Sequence, residues 1–291
     1  LVGKLTMKWL LVWLAGLAFL AGSVTATEDD SPAALVRAGW DNYRLGEFNS
    51  AILLFERAAE LNDPAALYAL ATAWNLRRPR EDRVKATALY RQAIALAPQS
   101  DWAAWSLLAL ARMNATLPPG KEPPLAERLA GYQAVVERFS RHPAGQEAFL
   151  FQQATRLTAP GTTSAEAEAV LAQLHLFLRD RPTTSYQSAT WCLVAYACEM
   201  LGRKQELLAA VIAESETTEV DVDNPRVDLS WRYWRIATVA QFEVGDFTVA
   251  RTYYRKLIAE YPTEQRVFLA KQQLQRMDKL EEQLRRELPP R

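Results

Sequence analysis

Residues on which most active-site chemistry depends are scarce here. Only 2 Cys and 2 His occur among 291 residues, too few for a zinc cluster of Cys and His ligands or a disulfide-dense scaffold. An excess of charge is missing too, since 34 Lys and Arg balance 34 Asp and Glu. That balance excludes the basic footprint of a general nucleic-acid binder. There is no Gly-x-Ser-x-Gly elbow, no Gly-rich phosphate loop ending in Lys-Ser/Thr, no His-Glu-x-x-His pair and no dinucleotide fingerprint. His142 stands before Pro143 at a turn and His175 within a helical run. Neither has a partner at ligand or base spacing, so both are expected to serve the surface or the packing. No catalytic residue, metal or cofactor is implied.

Long apolar runs are missing as well, with one exception. Lys4 and Lys8 precede an apolar run from Leu10 to Leu20, small residues follow to Ala26, and Glu28, Asp29 and Asp30 come next. This is the order of a secretory signal peptide. The run makes a helix of roughly 16 Å, about half of a hydrocarbon core of about 30 Å. Cleavage is expected after Ala26, with Met7 as the initiator and an uncleaved anchor as the alternative. The expected location is the periplasm or another exported compartment. In an oxidising compartment a Cys192–Cys198 bridge would be favoured, but six residues of helical rise hold the two Cα atoms roughly 9 Å apart, too far to bridge. Two free, buried thiols are expected.

What the sequence does have is an ordinary globular composition, 49% hydrophobic with 15 prolines, and helical periodicity almost throughout after Asp30. Breakers at Gly46, 62–64, 78–79, Pro98, 118–124, 142–143, 160–163, Pro182, Gly202, 221–225, Gly245 and Pro262 cut it into about thirteen helices. The acidic residues Glu216, Glu219, Asp221 and Asp223 with Asn224 lack the glycine and terminal glutamate of an EF-hand loop, so a solvated loop is expected there. Three stretches share one frame. Gly46 stands five residues before Ala51, Ala51 four before Phe55, Phe55 three before Ala58, and Asp63-Pro64 closes the unit. Ala86, Tyr90, Ala93 and Pro98 keep the later steps, and Gly245, Ala250, Tyr254, Leu257 and Pro262 repeat them all. A small residue and an aromatic four positions on share a helix face, so a neighbouring helix approaches closely while the ring fills the space beside it.

The preceding helices carry Trp105-x2-Leu108-Ala109, Trp191-x2-Val194-Ala195 and Trp234-x2-Ala237-Thr238. With these, the chain resembles the tetratricopeptide repeat, a 34-residue helix-turn-helix with the pattern Trp-x2-Leu-Gly-x2-Tyr, then Ala-x3-Phe, then Pro. Val170, Leu174, Phe177 and Pro182 keep the spacing with other apolar residues, and the middle repeats lack the Ala-x3-aromatic pair. The resemblance implies an all-α, right-handed α-solenoid of about six helix-turn-helix pairs with a C-terminal capping helix. The expected division is a leader at 1–26, N-terminal repeats at 27–113, a Pro-rich linker at 114–124, C-terminal repeats at 125–263, and a capping helix and tail at 264–291. The last helix puts Val267, Ala270, Leu274, Met277, Leu280 and Leu284 on one side, either as a solvating cap or as a coiled-coil partner.

In the family, the first helix of each pair lines a concave groove that holds protein partners. Carried over, Val36, Arg37, Trp40, Tyr43 and Arg44 should face that groove, with Tyr68 and Asn75 beside them. Trp105, Trp191 and Trp234 are expected in the core. Trp40 stands where the Asn of the family's peptide-terminus clamp would be, which argues against that route. Tyr254, Ile258, Tyr261 and Pro262 are similar to the repeats of bacterial periplasmic assembly proteins. The expected function is an exported scaffold for protein–protein interaction in the cell envelope, without catalysis of its own. A glycan-binding protein with an aromatic concave face and a membrane-anchored accessory subunit are the alternatives.

Overall fold

A computed structural model describes residues 31–76, 81–116, 121–220 and 228–287. The leader lies outside the described residues, as do 117–120 of the linker and Asp221, Asp223 and Asn224 of the acidic loop. Among the described residues there are thirteen α-helices, one π-helical segment and no strand. They are α1 (Pro32–Arg44), α2 (Phe48–Glu60), α3 (Pro64–Leu76), α4 (Arg83–Leu96), α5 (Asp101–Ala115), α6 (Leu125–Phe139), α7 (Pro143–Leu157), α8 (Ser164–Asp180), α9 (Gln187–Met200), α10 (Lys204–Glu216), α11 (Ser230–Thr238) continued by the π segment Val239–Val244, α12 (Phe247–Glu260) and α13 (Arg266–Glu287). The fold class is an all-α helical-repeat solenoid. The chain divides into two compact units, one up to Leu110 and one from Ala111 onward.

Local chemistry explains where the helices begin. Ser31 accepts from the amide of Ala34 and Asp63 from those of Ala65 and Ala66, each just before a proline that opens the helix. Proline suits that first position because its missing N–H has no intrahelical partner there. Pro64 and Pro143 therefore start the next helix instead of merely ending a unit. His142 is the cap of α7, its Nδ1 accepting from the amide of Ala144 at 3.0 Å, which is a more specific role than its position at a turn suggested. Gly46, Gly202 and Gly245 lie at positive φ, between 67° and 83°, at the turns inside the first, fifth and sixth pairs. A left-handed turn there costs glycine nothing sterically.

The repeat frame is the packing frame. Ala51, Phe55, Ala58, Ala86, Tyr90, Ala93, Ala250, Tyr254 and Leu257 are all buried, and so are Val170, Leu174 and Phe177 of the less regular middle. A Cβ added to Gly39 of α1 would lie 2.3 Å from the Phe55 ring, so here the close approach needs glycine itself. Tyr254 donates its hydroxyl to Gln241 at 2.9 Å, and burial pushes that phenol up to about 12. In the second unit α7 packs more extensively on α6 than on α8, so the middle of the chain departs from the regular alternation.

Two expectations need correction. Cys198 is buried but Cys192 is exposed, both thiols being free; six residues turn a helix through about 600°, which leaves the two side chains about 120° apart, too far for one core to cover both. Trp105, Trp191 and Trp234 are half-buried rather than enclosed, although Trp191 and Trp234 do pack on the core of the second unit. The capping helix α13 buries Val267, Ala270 and Met277, whereas Leu280 and Leu284 are exposed. Among the described residues no helix is long and apolar enough to cross a membrane.

Candidate functional site: the face of the first helices

The N-terminal face is built on α1 and α3. Arg37 and Arg44 are exposed, and the Arg44 guanidinium pairs with Asp41 at 2.7 Å. Trp40 is half-buried, its ring 5.5 Å from Tyr43 and 5.1 Å from the fully buried Phe55. Tyr43 in turn meets Phe48 at 5.1 Å, and burial raises its phenol above the ordinary tyrosine range. These edge-on contacts make Trp40 and Tyr43 part of the packing as well as of the surface. Val36 is buried with Leu35, Ala58 and Ala66, so it holds α1 to α2 and α3 and offers no surface to a partner. Tyr68 is half-buried between Tyr90 at 5.9 Å and Trp102 at 5.5 Å. Asn75 is half-buried near the end of α3.

A second face, formed by α9 and α11, was missed by sequence reasoning. Cys192, Tyr196 and Met200 are exposed along α9. On α11 and its π continuation, Trp231 and Phe242 are 57% and 59% exposed. The π segment widens the turn. Gln241 accepts from Tyr254 and donates to Gln273 at 3.1 Å, while its neighbour Phe242 is turned out to solvent. Trp191 and Trp234 carried the signal for this face, because the frame that selected Trp40, Tyr43 and Arg44 on α1 selects Tyr196 and Met200, at the positions of Trp40 and Arg44, and Phe242, at that of Tyr43.

The second face holds a clasp built on a buried carboxylate. Glu214, at the end of α10, is buried and accepts from Arg235 Nη1 at 3.2 Å, with the Arg232 guanidinium at 3.5 Å. The Cys192 thiol lies beside this clasp. Desolvation first and the Glu214 carboxylate second push it above the ordinary thiol range, with Arg235 and Arg232 acting the other way, which makes it a poor nucleophile. His175 is exposed, its ring 6.4 Å from that of Trp191. Among the described residues no group of three or more His, Cys, Asp and Glu is placed to hold a metal ion.

Successive helix pairs, three of them closed by left-handed glycine turns, with aromatic and charged side chains on their first helices, define a helical-repeat protein. The family model for the tetratricopeptide repeat matches residues 233–263, the sixth pair with its Gly245–Ala250–Tyr254 frame. No curated protein matches the sequence. Among solved structures, the chain is similar to PilW, described as a widely conserved type IV pilus biogenesis factor, with a TM-score of 0.54 and 15% identity over 80% of this chain and 95% of that one. PilF of Pseudomonas aeruginosa gives 0.54 and 14% over 84% and 97%. A chain of the APC/C hetero-tetramer Cut9-Hcn1 gives 0.54 and 13% over 90% of this chain and 46% of its own length. The chain carries a tetratricopeptide repeat at residues 233–263, within an all-α helical-repeat fold.

Proposed function

We propose that this protein is an exported scaffold that brings other proteins together in the bacterial cell envelope through the faces of its first helices, without catalysis of its own. The observation that carries this reading is the turning out of Tyr196, Met200 and Phe242, which stand at the repeat positions of Trp40, Arg44 and Tyr43. Exposed aromatic and methionine side chains at the centre of a repeat face suit protein capture. Arg37 and Arg44 offer charge for the same purpose on α1. The similarity to PilW, a pilus biogenesis factor, supports an envelope setting, as does the order of charges, apolar run and small residues up to Ala26.

Export is tested by fractionating cells and weighing the recovered chain. The expected result is a soluble envelope-fraction protein beginning at Thr27. A chain that retains Met7 and stays with the membrane supports the anchored alternative, and a chain confined to the cytosol contradicts export.

A further inference from the structure

The face of α9 and α11 holds two adjoining clefts, separated by the clasp of Glu214 with Arg232 and Arg235. The first, of about 430 Å³, is lined by Ser188, Cys192, Thr217, Thr218, Glu214 and Arg232. The second, of about 330 Å³, has Leu207 and Val239 in its lining together with Trp231, Arg235 and charged side chains. The Arg232 side chain is only 24% exposed, and its Nε is out of contact with water and has no hydrogen-bond acceptor. Glu214 Oε1 is 3.5 Å away, an ion pair too long and too poorly aligned for a hydrogen bond, while the Oε2 of the same carboxylate accepts from Arg235.

The hydroxyls around Arg232 do not relieve it. Thr217 donates to the carbonyl of Ala213, and Thr218 and Ser188 can donate to that of Glu214. In the second cleft the other cations have their own carboxylates. Lys204 pairs with Glu243 at 3.4 Å, Arg203 with Glu168 and Glu206, and Arg235 with Glu199 at 4.0 Å. Glu219, the remaining carboxylate in the lining of the first cleft, is exposed to water, which screens it. Arg232 is thus a partly exposed guanidinium with five donors, its Nε buried without an acceptor, sharing one carboxylate with a second arginine. A planar fork in that state is matched by a further carboxylate in bidentate contact. Trp231, one residue away, opens to the neighbouring cleft.

We infer that the two clefts together take a protein segment that presents a carboxylate side chain to Arg232 and a large apolar side chain to the Trp231, Leu207 and Val239 cleft. The inference rests on reading the first-helix face as an interaction surface, and names the partner chemistry.

The test uses the full chain, labelled with 15N, and follows the Arg232 Nε–H and the Trp231 indole N–H by NMR. The probes are capped alanine-based peptides carrying one Phe and one Glu at three different spacings, each with a Gln counterpart. At least one Glu peptide is expected to shift both signals and to bind about tenfold or more tightly than its Gln counterpart. Arg232→Met should reduce that preference to about twofold or less with melting unchanged or raised, and Arg232→Lys should keep part of it. The inference is overturned if no peptide binds, if Glu and Gln peptides bind alike, if Arg232→Met keeps the preference, or if sodium acetate alone reproduces the shifts. None of those results touches the scaffold reading, because partner capture at Tyr196 and Phe242 is measured separately.

Discussion

Alanine at Gly145 lowers the melting temperature of the protein sharply, whereas alanine at Gly131 raises it slightly. Both glycines lie in helices, so propensity alone would favour alanine at either site by about 0.5–1 kcal/mol. At Gly145 an added Cβ meets the carbonyl oxygen of Phe139 at 2.0 Å and its carbon at 2.6 Å. That carbonyl belongs to the end of α6 and already accepts from the amide of His142 at 2.9 Å, so no side chain can swing aside to make room. The ends of α6 and α7 must part, at a cost of about 3 kcal/mol or more. At Gly131 the nearest atom to an added Cβ is that of Ala111 at 3.6 Å, an ordinary contact. Thermal unfolding of both variants by circular dichroism checks the pair; a shift of the same sign in both contradicts the geometry.

The second large effect is expected at the repeat frame itself. Ala250 is completely buried beside Tyr254 and Leu257, so Ala250→Trp forces an indole into a contact filled by neighbouring helices. Overpacking on that scale costs about 3 kcal/mol or more, and Ala51→Trp should behave in the same way against Phe55. Leu53→Trp supplies the control, because Leu53 lies on the exposed side of α2 and should leave melting within about 0.5 kcal/mol of wild type. Unchanged melting of both alanine variants in thermal scans contradicts the frame.

That frame was legible because it is local. Steps of four and three residues place Ala51, Phe55 and Ala58 on one face whatever their neighbours do, and all three are buried. What surrounds a face is less legible. The periodicity that put Val36 beside Trp40 does not reveal that α3 comes close enough to cover the valine while Trp40 remains half open. The separation of Cys192 and Cys198 along the helix excludes a bridge, but it is the angle between them around the helix that exposes one of them. In the π segment Gln241 meets both Tyr254 and Gln273, partners 13 and 32 residues away, and no local pattern announces such contacts. Arg232 is the sharpest instance, because its meaning lies in an acceptor that it shares.

The central claim is that the first-helix faces, and not the second-helix faces, capture partners in the envelope. Site-specific photocrosslinking in living cells tests it most directly, with the crosslinking residue placed at Arg37, Tyr196 or Phe242 on the first helices and at Leu53 or Leu176 on exposed second-helix surface. All five positions are exposed, so the variants should fold alike. The account predicts discrete adducts with a small, reproducible set of envelope proteins from the first three positions and none from the last two. Equal adducts from both sets, or adducts from Leu53 and Leu176 alone, contradict it.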